Sequence, residues 1–165
     1  MANKIILQDI NHNGIDMDKA KYHVFPASQD VKPCVGCFGC WVKTPGKCVI
    51  KDKDSEFAAI MPHAKEIIVI SQLVFGGLSP HIKAILDRSI GFILPFFEDV
   101  NGEMHHKQRY ASRPALRYML YGDSISQAEK TTANKLIRAN AVNFGISDYR
   151  IDFYDSYQEI LEELR

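Results

Sequence analysis

All four cysteines of the chain, Cys34, Cys37, Cys40 and Cys48, lie in one stretch, "PCVGCFGCWVKTPGKCVI". The pattern Cys-x2-Cys-x2-Cys-x7-Cys is compact enough for several chemistries. A short loop carrying Gly36, Gly39 and Gly46 can fold four thiolates around one 4Fe-4S cluster, whose irons need converging sulfurs. Zinc also takes four thiolates, though its sites more often pair two separated Cys-x2-Cys hairpins. The same residues can instead stay reduced, packed as small apolar groups. The cysteines alone leave these alternatives open.

Other candidate groups are sparser. Phe38 and Trp41 alternate with the cysteines, either as an aromatic wall for a flat ligand or as anchors for a loop with little core. His105 and His106 fall in "FEDVNGEMHHKQRYASRP", read as the longest polar connection, a place where function often resides. Asp87 and Arg88 read as a structural pair at a helix end, and Glu159, Glu162 and Glu163 as a solvated helix face. No Ser/His/Asp set, paired carboxylates or P-loop signature appears, so hydrolase and kinase chemistries lack support. No side chain stands out as a required acid or base.

The elements that must position these groups alternate in type. "KIILQDI" (Lys4 to Ile10), "YHVFPA" (Tyr22 to Ala27), "EIIVISQL" (Glu66 to Leu73), "ALRYMLYG" (Ala115 to Gly122) and "YRIDFYD" (Tyr149 to Asp155) read as strands. "EIIVISQL" is the cleanest of them, nearly uninterrupted, as a parallel strand covered on both faces should be. Asp54 or Ser55 can cap a short helix through Met61. Ser79-Pro80 opens another, with Ile82, Ile85, Leu86 and Ile90 at helical spacing. Ser126 and Glu129 form a capping box before a helix stopping at Gly145, and "SYQEILEELR" reads as a last helix. The pattern predicts one α/β domain over residues 1–165 with a doubly wound sheet, ligands seating at the carboxyl ends of its strands. About a dozen residues, Asn11 to Lys21, join the first two strands, near the minimum for a parallel crossover.

Two blocks resemble a family. "VKPCVGCFGCWVKTPGKCVIKDKD" is similar to the cysteine segment of the flavodoxin-like NAD(P)H-dependent FMN reductases and the related iron–sulfur flavoproteins. "EIIVISQLVFGGLSPHIKAILDR" resembles the strand, flavin-contacting loop and helix that follow it there. The resemblance implies a flavodoxin-like three-layer α/β/α sandwich with a five-stranded, mostly parallel sheet. It implies FMN held non-covalently, NAD(P)H as reductant, and a small-molecule or protein electron acceptor. Three loops would bind the flavin: Asn11, Asn13 and Gly14 after the first strand, Gln72, Leu73, Val74, Phe75, Gly76 and Gly77 after the third, and Tyr121 and Gly122 after the fourth. Cys34, Cys37, Cys40 and Cys48 would be the ligands of a cluster, if one is held. "FILPFFEDV" would help form a homodimer or larger assembly, burying Leu94, Phe96 and Phe97.

The first loop departs from the family. "NHNGIDMDKAK" has no hydroxyl or arginine, and the one cation a phosphate would meet near its start is His12, with Asp9 and Asp16 nearby. The FMN site is therefore expected to be weakened. The alternative is a non-enzymatic flavodoxin-like binding protein that has lost FMN. The formal net charge of +0 supplies no basic field for nucleic acid or anionic lipid. No apolar run reaches the roughly 18 residues that cross a bilayer, and "MANKIILQDINHNG" lacks the sections of a signal peptide. A cytoplasmic, reducing location follows as the expectation, one in which structural disulfides do not persist.

Overall fold

The computed structural model describes residues 3–9, 18 and 20–165. Five strands run parallel in one sheet: β1 (Lys4–Gln8), β2 (Tyr22–Pro26), β3 (Glu66–Val74), β7 (Ala115–Tyr121) and β8 (Tyr149–Tyr154), in the order β2-β1-β3-β7-β8. A two-residue strand, β4 (Gly77–Leu78), folds back antiparallel on β3. Ile10, expected in the first strand, lies outside the described residues.

Alternation along each strand explains the layers, because successive side chains point to opposite faces. Ile5 and Leu7 of β1, Ile67 and Val69 of β3, and Leu116, Tyr118 and Leu120 of β7 enter one cluster. Ile6, Ile68, Ile70 and Met119, the residues between, enter the other. The larger cluster is covered by α2 (Phe57–Ile60), α3 (Pro80–Arg88) and α4 (Gln127–Asn143), through Phe57, Ile82, Ile85, Ala133 and Ile137. The smaller is covered by α5 (Tyr157–Leu164), through Ile160 and Leu164. Helices on both faces of a parallel sheet make the expected three-layer α/β sandwich.

The helix signals act as their chemistry requires. The Ser79 hydroxyl accepts the Ile82 N–H, with Pro80 in the first turn. At α4 the capping box forms in full, Ser126 Oγ accepting the Glu129 N–H while the Glu129 carboxylate accepts the Ser126 N–H. Leu136 is exposed on that helix, whereas Ile137 and Ala141 face the core. Before α2 the cap is Asp52, which accepts the Ser55 N–H at 3.0 Å and opens a 3-10 turn at Lys53–Glu56. Asp54 is instead buried, its carboxylate accepting the Ser28 N–H at 3.2 Å.

The expected polar connection is the main departure. Residues 93 to 108 form a β-hairpin, β5 (Ile93–Val100) and β6 (Glu103–Gln108), outside the main sheet. Asn101 and Gly102 make its two-residue turn at φ 57° and 83°, the left-handed pair such hairpins demand. Asn-Gly is the strongest short signal for this motif, and it stands in the sequence as "VNGE". Of the described helices, none is long and apolar enough to cross a membrane.

Candidate functional site

In a sheet of this order the crevice opens outside the carboxyl ends of the strands, where strand order reverses between β1 and β3. Asp9 directly follows β1 at that point and is 8% exposed. Its carboxylate bridges three strand ends: Oδ2 accepts the Gln72 N–H from β3 at 2.9 Å, and Oδ1 accepts the Tyr121 O–H from β7 at 3.1 Å. Beside it, Tyr157 donates its O–H to Gln8 Oε1 at 3.1 Å, and the Tyr121 and Tyr157 rings meet edge to face at 5.6 Å. Burial, then the charge of Asp9, pushes the Tyr157 hydroxyl up to about 12. The same two causes push Tyr121 up further, so both are O–H donors at neutral pH.

Of the expected flavin contacts, Gln72, Tyr121 and Gly122 gather at this crevice. Leu73 and Val74 continue β3 and pair with Leu78 and Gly77 of β4. Leu73 is buried in the core, while Phe75 is 91% exposed at the turn. Phe75 and Gly76 hold φ of 50° and 81°. A Cβ on Gly76 would strike Thr132 of α4 at 2.7 Å, so the turn lies tight against that helix. Asn11, Asn13 and Gly14 lie outside the described residues. Asp9, Gln8 and Tyr157 are members that the sequence reading did not single out; the polar pair ending an apolar first strand was the available signal.

The cysteine segment forms a separate lobe. Its short helix, α1 (Gly39–Val42), follows Phe38 at φ 57°. Trp41 pins it down, its indole N–H shared between the carbonyls of Ile90 at 3.2 Å and Ile93 at 2.9 Å. Cys34 and Cys37 are exposed, Cys40 is buried, and all four thiols are free. Burial, with Cys48 nearby, pushes the Cys40 thiol up. The four line one small apolar hollow of about 60 Å³ together with Arg88. Among the described residues, no group of three or more Cys, His, Asp or Glu is arranged to hold a metal ion. Cys34, Cys37, Cys40 and Cys48 thus gather around one hollow.

Arg88 is also not paired with Asp87. It is 2% exposed and forks onto Asp52, Nη2 to Oδ1 at 2.6 Å and Nη1 to Oδ2 at 3.0 Å. Asp87 pairs instead with Lys83 one turn earlier. The two histidines sit on β6. His106 lies between the rings of Trp41 and Phe97, at centroid distances of 5.1 and 4.4 Å. His105 Nε2 is 3.1 Å from Glu103 Oε2. Both border a cleft of about 260 Å³ between the hairpin, α3 and α4.

A parallel sheet ordered 2-1-3-4-5 with helices on both faces defines a flavodoxin-like fold. Solved structures of that fold overlay almost the whole chain. An azoreductase from Bacillus anthracis matches with a TM-score of 0.60 at 9% identity, over 99% of this chain and 93% of that one. An FMN-dependent NADH-azoreductase from the same organism, in complex with FMN, matches with a TM-score of 0.54 at 12% identity, over 99% and 94%. In sequence, the chain is 42% identical over 72 residues to an iron–sulfur flavoprotein of Methanocaldococcus jannaschii. That match takes in 41% of this chain and 36% of the relative's length. The resemblance expected from the cysteine and third-strand blocks therefore holds. No family model matches the chain.

Proposed function

We propose that this chain is a flavodoxin-like oxidoreductase or electron carrier. It takes up FMN non-covalently at the β1/β3 crevice, receives electrons from NAD(P)H and passes them to a small-molecule or protein acceptor. The observation that carries the reading is the polar cluster of Asp9, Gln72 and Tyr121, set where three parallel strands end. Support comes also from the FMN-bound neighbour of the same fold.

Bound FMN supplies the hydride and electron chemistry, while the protein orients it. The polar groups at the crevice suit the neutral part of that cofactor. The Asp9 carboxylate is an acceptor for a ring N–H or a sugar hydroxyl, and the Tyr121 and Tyr157 hydroxyls stay protonated beside it. Gln72, Phe75, Gly76, Gly77, Tyr121 and Gly122 would face the ring, with Asn11, Asn13 and Gly14 toward the phosphate. The phosphate is less well served. A negative charge about 5 Å from Asp9 loses about 3 kcal/mol at an effective dielectric of about 20. No cation bonds to Asp9 among the described residues. The proposal does not call on a cluster at the cysteines.

Fluorescence titration with FMN and with riboflavin tests this. The expected result is micromolar or weaker FMN binding, riboflavin within about tenfold of it, and bleaching of the bound flavin by NADH or NADPH without oxygen. A protein that binds neither flavin refutes the proposal and leaves the non-enzymatic reading. Nanomolar FMN binding, with riboflavin a thousandfold weaker, overturns the account of the phosphate.

A further inference from the structure

Helices α3 and α4 run back along the sheet, against the direction of its strands. The first starts at Pro80, beyond the carboxyl end of β3, and closes at Arg88. The second starts at Gln127, beyond β7, and ends at Asn143, shortly before β8 begins at Tyr149. Their last turns therefore lie at the amino edge of the sheet, opposite the edge that carries Asp9, Gln72 and Tyr121. Along β3, Gln72 and Glu66 are about 20 Å apart at about 3.3 Å per residue. The cleft of about 260 Å³ opens at this amino edge, between the two last turns and the hairpin. The hairpin is packed close there: a Cβ on Gly145, just past α4, would strike the Gln108 side chain at the end of β6.

The lining is apolar in its depth, where Leu86, Ile90 and Phe144 belong to or pack on the larger core cluster. Its rim is polar. Asn140 and Asn143 are three residues apart on α4 and so share one face of the helix. Neither carboxamide has a hydrogen-bond partner among the described residues. His106 borders the cleft too, and its Nδ1 is buried with no partner. An unpaired buried atom of this kind carries a penalty that a ligand donor or acceptor removes. Among the described residues no lysine or arginine lines the cleft, whereas the Asp87 carboxylate does. The nearest ion pairs, Lys83 with Asp87 and His105 with Glu103, leave the rim no spare cation.

We propose that this cleft is a second ligand site, taking a flat nitrogen heterocycle of purine size that carries no phosphate or carboxylate. Each part of the lining selects one property of that class. The apolar depth and the His106 ring accept a ring face. Each carboxamide offers donors and an acceptor side by side, the set with which asparagine pairs the amine and ring nitrogen of adenine. Asp87, with no lysine or arginine beside it in the lining, repels an anion. Size excludes a dinucleotide, since the volume falls just below the range of about 300–1,000 Å³ that holds drug-sized ligands. Distance excludes a part in hydride transfer at the β1/β3 crevice, which needs reacting atoms about 3–3.5 Å apart. The site is therefore separate from the flavin crevice, and its occupation does not depend on flavin.

Backbone amide NMR of the full chain, without flavin, tests the site by titration with adenosine, adenosine 5′-monophosphate and indole. Adenosine is expected to shift the amides of Asp87, His105, Asn140 and Asn143, saturating with a dissociation constant below about 1 mM. The monophosphate should bind at least about tenfold more weakly, because its charge approaches Asp87. Indole, flat but without the paired donor and acceptor, should be weaker by a similar factor. Asn140→Leu and Asn143→Leu each weaken adenosine at least about tenfold. Leucine is the better helix former, so α4 keeps its fold, and circular dichroism checks this. No shift at these residues with about 5 mM adenosine overturns the proposal. So do shifts confined to Gln72 and Tyr121, a monophosphate or indole that binds as tightly as adenosine, or an affinity that both variants leave unchanged.

Discussion

Substituting Asp52 by asparagine should unfold this chain far more readily than the loss of one partly exposed carboxylate suggests. The Arg88 side chain is 1% exposed and the Asp52 side chain 21%. The guanidinium is therefore the partner that cannot return to water. At about 3 Å and an effective dielectric of about 20, the pair attracts by about 5 kcal/mol, most of it offsetting the desolvation of Arg88. Asparagine keeps an oxygen for the Ser55 N–H, so the cap survives and the charge alone is lost. The remaining partners of Arg88 are the Lys32 carbonyl at 3.3 Å and the Cys48 sulfur, both weak acceptors. Breaking a buried pair on one side costs about 3–5 kcal/mol. The exposed edge of Asp52 and water entry place the expected value near the lower end, about 3 kcal/mol. Arg88→Met leaves Asp52 able to hydrate and should cost about half of that. The double variant should be no worse than Arg88→Met alone, a coupling of about 3 kcal/mol or more. Urea unfolding reads the effect as a fall of about 1.5 M in midpoint, for a slope of about 2 kcal/mol/M. A loss below about 1 kcal/mol for Asp52→Asn would refute the claim that Arg88 depends on this carboxylate.

Three other outcomes follow from local geometry. The Arg88 hydrogen bonds hold the Asp52 carboxyl below the ordinary carboxylate range. The stability it contributes is complete above the unfolded value of about 3.9 and drains away as pH falls through the lowered folded value. Wild type and Asp52→Asn should thus differ by a constant amount from pH 5 to 8 and converge on acidification below about pH 4, as read by unfolding at each pH. The Tyr118 hydroxyl is buried with no partner, and its burial pushes it far above the usual tyrosine value. Tyr118→Phe should be neutral or gain up to about 1 kcal/mol in thermal or urea unfolding. Phe75 holds a left-handed φ of 50° while 91% exposed. Phe75→Asn should gain about 0.5–1 kcal/mol of stability, yet weaken flavin binding severalfold by titration if the ring stacks on the cofactor.

The layers were legible because buried parallel strands must be apolar on both faces, and "EIIVISQL" meets that demand without help from any other segment. The helix starts were legible because caps are local chemistry, as at Ser79 and Ser126. The hairpin was hidden by composition: Glu98, Asp99, Glu103 and two histidines give a strand that reads as solvated loop, and only Asn101-Gly102 betrays it. The partner of Arg88 could not be read either. Asp87 is adjacent in sequence but leaves the helix one residue round, toward Lys83, while Asp52 arrives from 36 residues away. Asp9 was passed over for a similar reason, since a single acid after a strand declares nothing until β3 and β7 bring Gln72 and Tyr121 to it.

The chain has one tryptophan, and it stands at the joint between the cysteine lobe and the hairpin. That joint therefore carries its own fluorophore. An indole that leaves two carbonyls for water shifts its emission to longer wavelength. Light from Trp41 therefore reports whether the lobe is latched, while the far-ultraviolet signal follows the sheet. If the two change together on heating, latch and sheet open as one cooperative unit; if the emission moves first, the lobe opens locally while the sheet stays whole.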